Sequence, residues 1–260
     1  MEIRIAVIPY LNCAPFYWNK SILSGSELKI RWISATPKAL GQLAKQQAID
    51  AGPVSMVDSF EIEENYEELS SLGIAVKKSA ESVILFSKKP LQILNIDENS
   101  IGLTEESATS IHLLKFILEG RHGIHTKYRL GFKKEDEARL LIGNKALEAL
   151  LDSDLQKQYP YRIDLGEEWM NWQKLPFVFA RWMVRKNLDL SIKKELEQLL
   201  VDNVNLGKQD LEKVISVYNK ETHFNFPQGK EYLSAFNYIF GKREKQSIDL
   251  FRKMIEQSKN

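Results

Sequence analysis

At 260 residues, 43% hydrophobic and 27% charged, the chain has a globular composition and a length between one and two domains. Thirty-six Lys and Arg against thirty-five Asp and Glu leave a net charge of +1, which argues against a polyanion-coating role, so no nucleic-acid partner is expected. The single cysteine, Cys13, forbids an internal disulfide and fits a reducing compartment, and no run approaches the roughly 20 apolar residues of a membrane span.

Glu2 to Ile8 is a compact β-branched run closed by Pro9, a buried-strand pattern. With one early Arg and no small-residue cleavage site it reads as a strand and not as a signal peptide, so a cytoplasmic protein is expected. Leu28 to Ile33 is a second strand. Thr36-Pro37 then predicts a helix start, Thr as cap and Pro at the first helical position, with Leu40, Leu43 and Ala44 as its apolar face. Ala48 to Gly52 runs into Gly-Pro-Val-Ser, Glu61 to Glu68 reads as a solvated helix face, and Ser82 to Ser87 is a buried strand. Further on come Ser100 to Thr104 (strand), Ser107 to Leu118 (helix), Ala138 to Ile142 (strand), Asn144 to Leu151 (helix) and Pro176 to Val184 (strand). Trp169 and Trp172 should share one face of a short helix. From Ser191 the chain is helical, with breaks near Gly207, Phe226 to Gly229, and Gly241. Strands alternating with helices predict an α/β protein of parallel βαβ units.

No Pro/Gly/Ser-rich linker joins two domains, so the chain should cross between lobes through ordered strands. SVILFS and PFVFARWMV are the candidates. One lobe would then comprise residues 1–86 plus 178–260 and carry both termini, and residues 87–177 would form an inserted second lobe. Ligand is expected in the cleft, where the carboxyl ends of strands face each other.

Four segments fall at such strand ends. Asn12, in Pro9-Tyr10-Leu11-Asn12-Cys13-Ala14-Pro15, offers an amide on a loop held by two prolines; an Asx-turn is the plain alternative. Gly52, Pro53, Val54 and Ser55 would form a cleft wall or a simple turn. Ser82 opens a candidate crossing strand. Ser107, Thr109 and Ser110 begin a helix after a strand, where backbone N–H groups and three hydroxyls suit a carboxylate or phosphate, against simple N-capping by Ser107. Cys13 has no His or Asp partner and reads as a small hydrophobe. His122 and His125 lack a third ligand for a metal. No cofactor or metal motif is present.

The motifs PYLNCAPFYW, DAGPVSMVD, SVILFSKKP, LTEESATS, LLIGNKAL and DLGEEWMNWQKLPFVFARW, in that order, resemble the chorismate dehydratase family of the futalosine route to menaquinone. The resemblance runs from about Ile5 to Val184. It implies a two-lobed type 2 periplasmic-binding-protein fold and the conversion of chorismate to 3-[(1-carboxyvinyl)oxy]benzoate with loss of water. By motif it places Asn12 and Ser82 near the reacting centre, and Gly52 to Ser55, Ser107 to Ser110 and Gly143 around the substrate. The chain departs from the family at Ala108, where an Arg is frequent, and at Asn144, where an Asp is frequent. Arg181, inside an apolar strand, could replace that missing cation from the opposite wall, or could pair with a surface carboxylate. Two other readings stay open: a small-anion binding module of the same fold, and 1,4-dihydroxy-6-naphthoate synthase. The residues set no oligomeric state.

Overall fold

The computed structural model describes residues 2–19, 28–91 and 96–258, with backbone alone for residues 96–100. The chain first lays down β1 (Glu2–Val7), a 3₁₀ helix (Leu11–Phe16), β2 (Lys29–Ser34), α1 (Pro37–Lys45), β3 (Ala51–Ser55), α2 (Met56–Glu61) and β4 (Tyr66–Val76). A second set follows: β5 (Val83–Ser87), β6 (Ile96–Leu103), α3 (Ala108–Lys115) continuing into a π-type turn (Phe116–Arg121), β7 (Thr126–Leu130), β8 (Ala138–Ile142), α4 (Gly143–Leu151), α5 (Ser153–Gln158), β9 (Tyr161–Asp164) and α6 (Leu165–Gln173). The chain then returns through β10 (Phe177–Arg185), α7 (Leu190–Gln209), α8 (Leu211–Thr222), α9 (Gly229–Ser234), β11 (Phe236–Ile239) and α10 (Lys242–Gln257).

These strands form two sheets, ordered β11-β4-β10-β3-β1-β2 and β7-β6-β8-β5-β9. Both are mixed where sequence alternation predicts parallel sheets. β1 runs parallel to β2 and β3, but β10 re-enters antiparallel between β3 and β4. In the second sheet β6 is parallel to β7 and β8, while β5 runs against β8 and β9.

The plainest strands in the sequence are those buried on both faces, although β2, also read there, is a half-buried edge strand. All five residues of β5 are buried, as an interior strand requires. α1 follows its predicted start: Pro37 sits in the first turn, and Leu40 and Ala44 are buried beneath it. Glu61 to Glu68 is not a helix face, because α2 ends at Glu61 and β4 starts at Tyr66. There Tyr66 and Leu69 point inward while Glu67 and Glu68 reach Lys193 and Arg181.

Neither proposed crossing strand spans both lobes. β5 pairs only within the second sheet and β10 only within the first. The chain passes between sheets in two short segments, residues 77–82 and 174–176. Each contains a non-glycine residue in the left-handed region, Glu81 at φ 50° and Lys174 at φ 58°, a conformation that costs energy outside glycine. The Asp164 carboxylate offsets this at the first crossing, accepting from Ser79 Oγ, Ala80 N–H and Glu81 N–H as well as from Glu167 N–H. One carboxylate at the end of β9 therefore holds the outward crossing against the start of α6. Trp169 and Trp172 do share a face of α6, with ring centroids 6.1 Å apart.

Candidate active site

A cleft lies between the two sheets. The first supplies Asn12, Cys13, Ser55, Ile74, Phe179 and Ala180, and the second Ser82, Val83, Ser107, Ser110, Ile142 and Gly143. Ile8, Tyr10 and Pro37 complete its lining. The local reasons are readable in each element. Asn12 sits on the 3₁₀ helix after β1, nearly buried, with Oδ1 accepting weakly from Cys13 Sγ at 3.4 Å. Ser55 ends β3. Phe179 and Ala180, consecutive in β10, both reach the cleft because the register with β4 slips between Val178 and Ala180, which re-aims the side chains there.

The hydroxyls have distinct partners. Ser82 Oγ donates to Ala80 O at 3.1 Å and accepts from Tyr232 Oη at 2.8 Å. Ser107 Oγ caps α3, accepting from Ser110 N–H and from Ser110 Oγ, each at 3.2 Å. Ser55 Oγ donates to Asp58 Oδ2 at 2.6 Å and accepts from Thr109 Oγ1 at 3.2 Å.

Six of the residues singled out in the sequence thus meet in one cleft: Asn12, Ser55, Ser82, Ser107, Ser110 and Gly143. Thr109 is buried behind it and supports Ser55. Gly52, Pro53 and Val54 do not line it; they are interior positions of β3, and a Cβ on Gly52 would lie 2.4 Å from that of Ala6 in β1. That glycine serves close strand approach.

Arg181 is also outside the cleft. Its guanidinium, 4% exposed, donates through Nε to Ser59 Oγ at 2.9 Å and through its two terminal nitrogens to Glu68 and to Glu63, the latter at 2.9 Å. Arg252 meets the same Glu63 carboxylate, and both guanidinium groups stack on Phe60. Hydrogen bonds from Arg252 and then Arg181 outweigh burial and hold the Glu63 carboxyl below its ordinary range. The cation is therefore committed to a carboxylate network on the α2 side of β10, and it does not compensate for Ala108. Of the two expectations for Arg181, pairing with carboxylates is the one the structure bears out.

Among the lining residues only Tyr10 and Cys13 titrate, and both are held neutral. Burial raises the Cys13 thiol well above its usual value. Burial and then a hydrogen bond to Glu106 Oε2, at 2.6 Å, raise the Tyr10 phenol. No lining residue is a Lys, Arg, His, Asp or Glu, and among the described residues no group of three His, Cys, Asp or Glu is placed to hold a metal ion.

Several contacts tie the lobes across the cleft. Tyr10 donates across to Glu106, which Lys145 also meets from within the second lobe. Asn144 uses both ends of its amide, accepting from Leu11 N–H at 3.1 Å and donating to Tyr218 Oη at 2.7 Å. An Asp at this position could not make the second bond as donor. Tyr10 also lies flat against the backbone of Gly143, which has φ 58° and no room for a side chain: a Cβ would stand 2.6 Å from the Tyr10 ring. Gly143→Ala should therefore strain the backbone and push Tyr10 off its seat. We expect a loss of about 1–3 kcal/mol in stability and about a tenfold rise in KM, read by thermal denaturation and steady-state kinetics. An unchanged KM would show that Tyr10 does not close the cleft.

Two lobes around an uncharged, mostly apolar cleft that carries a few amide and hydroxyl groups, with strand ends on both walls, define a periplasmic-binding-protein-like α/β protein. A solved protein of Archaeoglobus fulgidus superposes with a TM-score of 0.77 at 15% identity, over 99% of this chain and 97% of that one. The periplasmic aliphatic sulphonate binding protein of Escherichia coli gives 0.67 at 12% identity, over 97% and 87%. These likenesses establish the fold. The chain belongs to the menaquinone biosynthesis family, whose profile matches residues 3–257. It is 30% identical over 193 residues to the chorismate dehydratase of Thermus thermophilus, covering 68% of each chain.

The sequence reading missed Asp58, Tyr10 and Tyr232. Asp58 had a signal, the Ser-x-x-Asp spacing from Ser55, but that spacing also belongs to ordinary helix capping. Tyr10 lay inside a quoted motif, and only its contact with Gly143 and Glu106 shows its place. Tyr232 is 150 residues from Ser82, and nothing local links them.

Proposed function

We propose that this protein is a chorismate dehydratase, a carbon–oxygen lyase that removes water from chorismate to give 3-[(1-carboxyvinyl)oxy]benzoate. The observation that carries the reading is the uncharged cleft of a menaquinone-biosynthesis family member, a mostly apolar wall dotted with one amide and a few hydroxyl groups and with no side-chain base. Chorismate brings its own. The ring C–H beside the enolpyruvyl ether is vinylogous to the ring carboxylate, so its removal spreads negative charge onto that carboxylate. Departure of the ring hydroxyl then makes the ring aromatic. The enolpyruvyl carboxylate of the substrate lies within reach of that C–H and acts as the base.

The protein's part is to hold a reactive conformer and receive the developing charge. Ser107, whose hydrogen is left free because Ser110 donates to it, and the first N–H groups of α3 suit the ring carboxylate, since the positive end of the helix faces it. Asn12 and Ser82 suit the reacting end. Ser82 can turn its hydrogen from Ala80 O to a ligand at little cost, both being neutral acceptors. The cleft encloses about 50 Å³, well below the roughly 300 Å³ of a small-molecule site, so entry requires the lobes to part at residues 77–82 and 174–176. We place the discontinuous lobe on the first sheet and the inserted lobe on the second, and the reaction in the cytoplasm, which the lone buried cysteine suits.

The test is direct: purified protein with chorismate, followed by ultraviolet absorbance and mass. Loss of one water and appearance of a benzoate spectrum are expected. Tight binding with chorismate unchanged would instead identify a binding module of the same fold.

A further inference from the structure

Ser55 lines the cleft, and its hydroxyl is a link in a hydrogen-bond chain whose direction is set at both ends. Val57 N–H donates to Thr109 Oγ1 at 3.0 Å, Thr109 Oγ1 donates to Ser55 Oγ at 3.2 Å, and Ser55 Oγ donates to Asp58 Oδ2 at 2.6 Å. A backbone N–H can only donate and a carboxylate can only accept. Each hydroxyl between them therefore has its one hydrogen assigned. Toward the cleft, Ser55 has a lone pair and no hydrogen. The bond to Asp58 is short and charge-assisted, of the kind roughly twice as strong as a neutral one, so a ligand does not readily turn the hydroxyl round.

Ordinary capping does not account for this arrangement. Ser55 precedes α2 at the capping position, yet its side chain accepts from none of that helix's N–H groups. Its hydrogen goes to the Asp58 side chain, and α1 is shaped to hold that carboxyl in place. Lys45 Nζ lies 3.2 Å from Asp58 Oδ1, and a Cβ on Gly41 would stand 2.5 Å from the Asp58 carboxyl carbon. Ser107 is the opposite case. It accepts from both the N–H and the hydroxyl of Ser110, which engages both lone pairs and leaves its hydrogen for the cleft. The cleft thus has an accepting point at Ser55 and a donating point at Ser107.

We propose that Asp58 is a positioning residue that makes Ser55 a hydrogen-bond acceptor, and that Ser55 accepts from the ring hydroxyl of the substrate. The proposal rests on the dehydratase reading. A substrate carboxylate, which only accepts, is turned away from Ser55 and toward Ser107, so the chain orients the ring as well as the hydroxyl. In the reaction the C–O bond breaks with its electron pair going to oxygen. That oxygen takes the proton removed from the ring and leaves as water, while Ser55 and Asp58 neither gain nor lose a proton.

The product lacks the ring hydroxyl, and this supplies the test. In Asp58→Asn, Lys45 keeps the amide oxygen on its side, so the amide nitrogen donates to Ser55 and the last link reverses. The kcat/KM for chorismate should fall about tenfold, while the Ki of 3-[(1-carboxyvinyl)oxy]benzoate stays within about twofold of wild type. Ser55→Ala should show the same split, and the double variant should be no worse than Ser55→Ala. Unchanged kcat/KM, parallel weakening of chorismate and product, or additive losses in the double variant would each overturn the proposal. If Asp58→Asn does not fold, Ser55→Ala alone decides it by the same ratio. Wild-type protein that leaves chorismate intact overturns the dehydratase reading itself, a result distinguishable from all of these.

Discussion

Asn12→Ala is expected to lower kcat for chorismate by about 10²–10³, the loss seen when one preorganised donor at a reacting centre is removed. The geometry isolates the effect. Asn12 is 9% exposed and sits on a short helix preceded by Pro9 and containing Pro15, so its amide is held before substrate arrives. Its carbonyl takes only the weak Cys13 thiol contact, and its Nδ2 has no partner among the described residues. Truncation therefore breaks no structural hydrogen bond of consequence. Circular dichroism should be unchanged, and a folded variant with near-normal kcat would remove Asn12 from the mechanism.

Ser110→Asp is expected to raise KM for chorismate by about a hundredfold with a smaller change in kcat. Ser110 is buried at the first turn of α3, where an acidic side chain would by itself favour the helix dipole. Against a bound carboxylate the same charge is repulsive, and like charges brought together in a desolvated site cost several kcal/mol. No cation lines the cleft to relieve them. An unpaired carboxylate at this buried position also costs stability without substrate, so thermal denaturation reads that cost and KM the substrate. An unchanged KM would move the anion away from α3.

How far the sequence could be read depends on what each residue faces. β1, β5, β8 and β10 show themselves as apolar runs because their interior positions are buried. β4 hides its start behind Glu67 and Glu68, whose charges are met by Lys193 and Arg181 from distant segments. β7, β9 and β11 are short edge strands with partly exposed positions, so no buried apolar run marks them. The same division holds in the cleft. Asn12, Ser55, Ser82, Ser107 and Ser110 fall at strand ends within recognisable motifs, and the structure gathers them. Gly52 to Val54 shared a motif with Ser55 but face the interior of the first sheet. Arg181 looked like a misplaced cation because Glu63, Glu68 and Ser59 are brought to it only by the fold. The polarity of Ser55 is set by Asp58 three residues on, a spacing that ordinary capping also uses, while its partner Thr109 comes from the other lobe and no local pattern announces it.

The return of β10 into the first sheet has a consequence for synthesis on the ribosome. β3 and β4 never pair with each other, for β10 lies between them, and it emerges roughly a hundred residues after β4. Throughout that interval both strands present open, largely apolar edges, the kind that recruit other chains. The second sheet has no such wait, since all five of its strands lie within one unbroken stretch of chain. It can close first, and the first lobe then condenses around a finished neighbour. A nascent chain that stops before Phe177 would contain every strand of the second sheet, while the first would still lack β10 and β11.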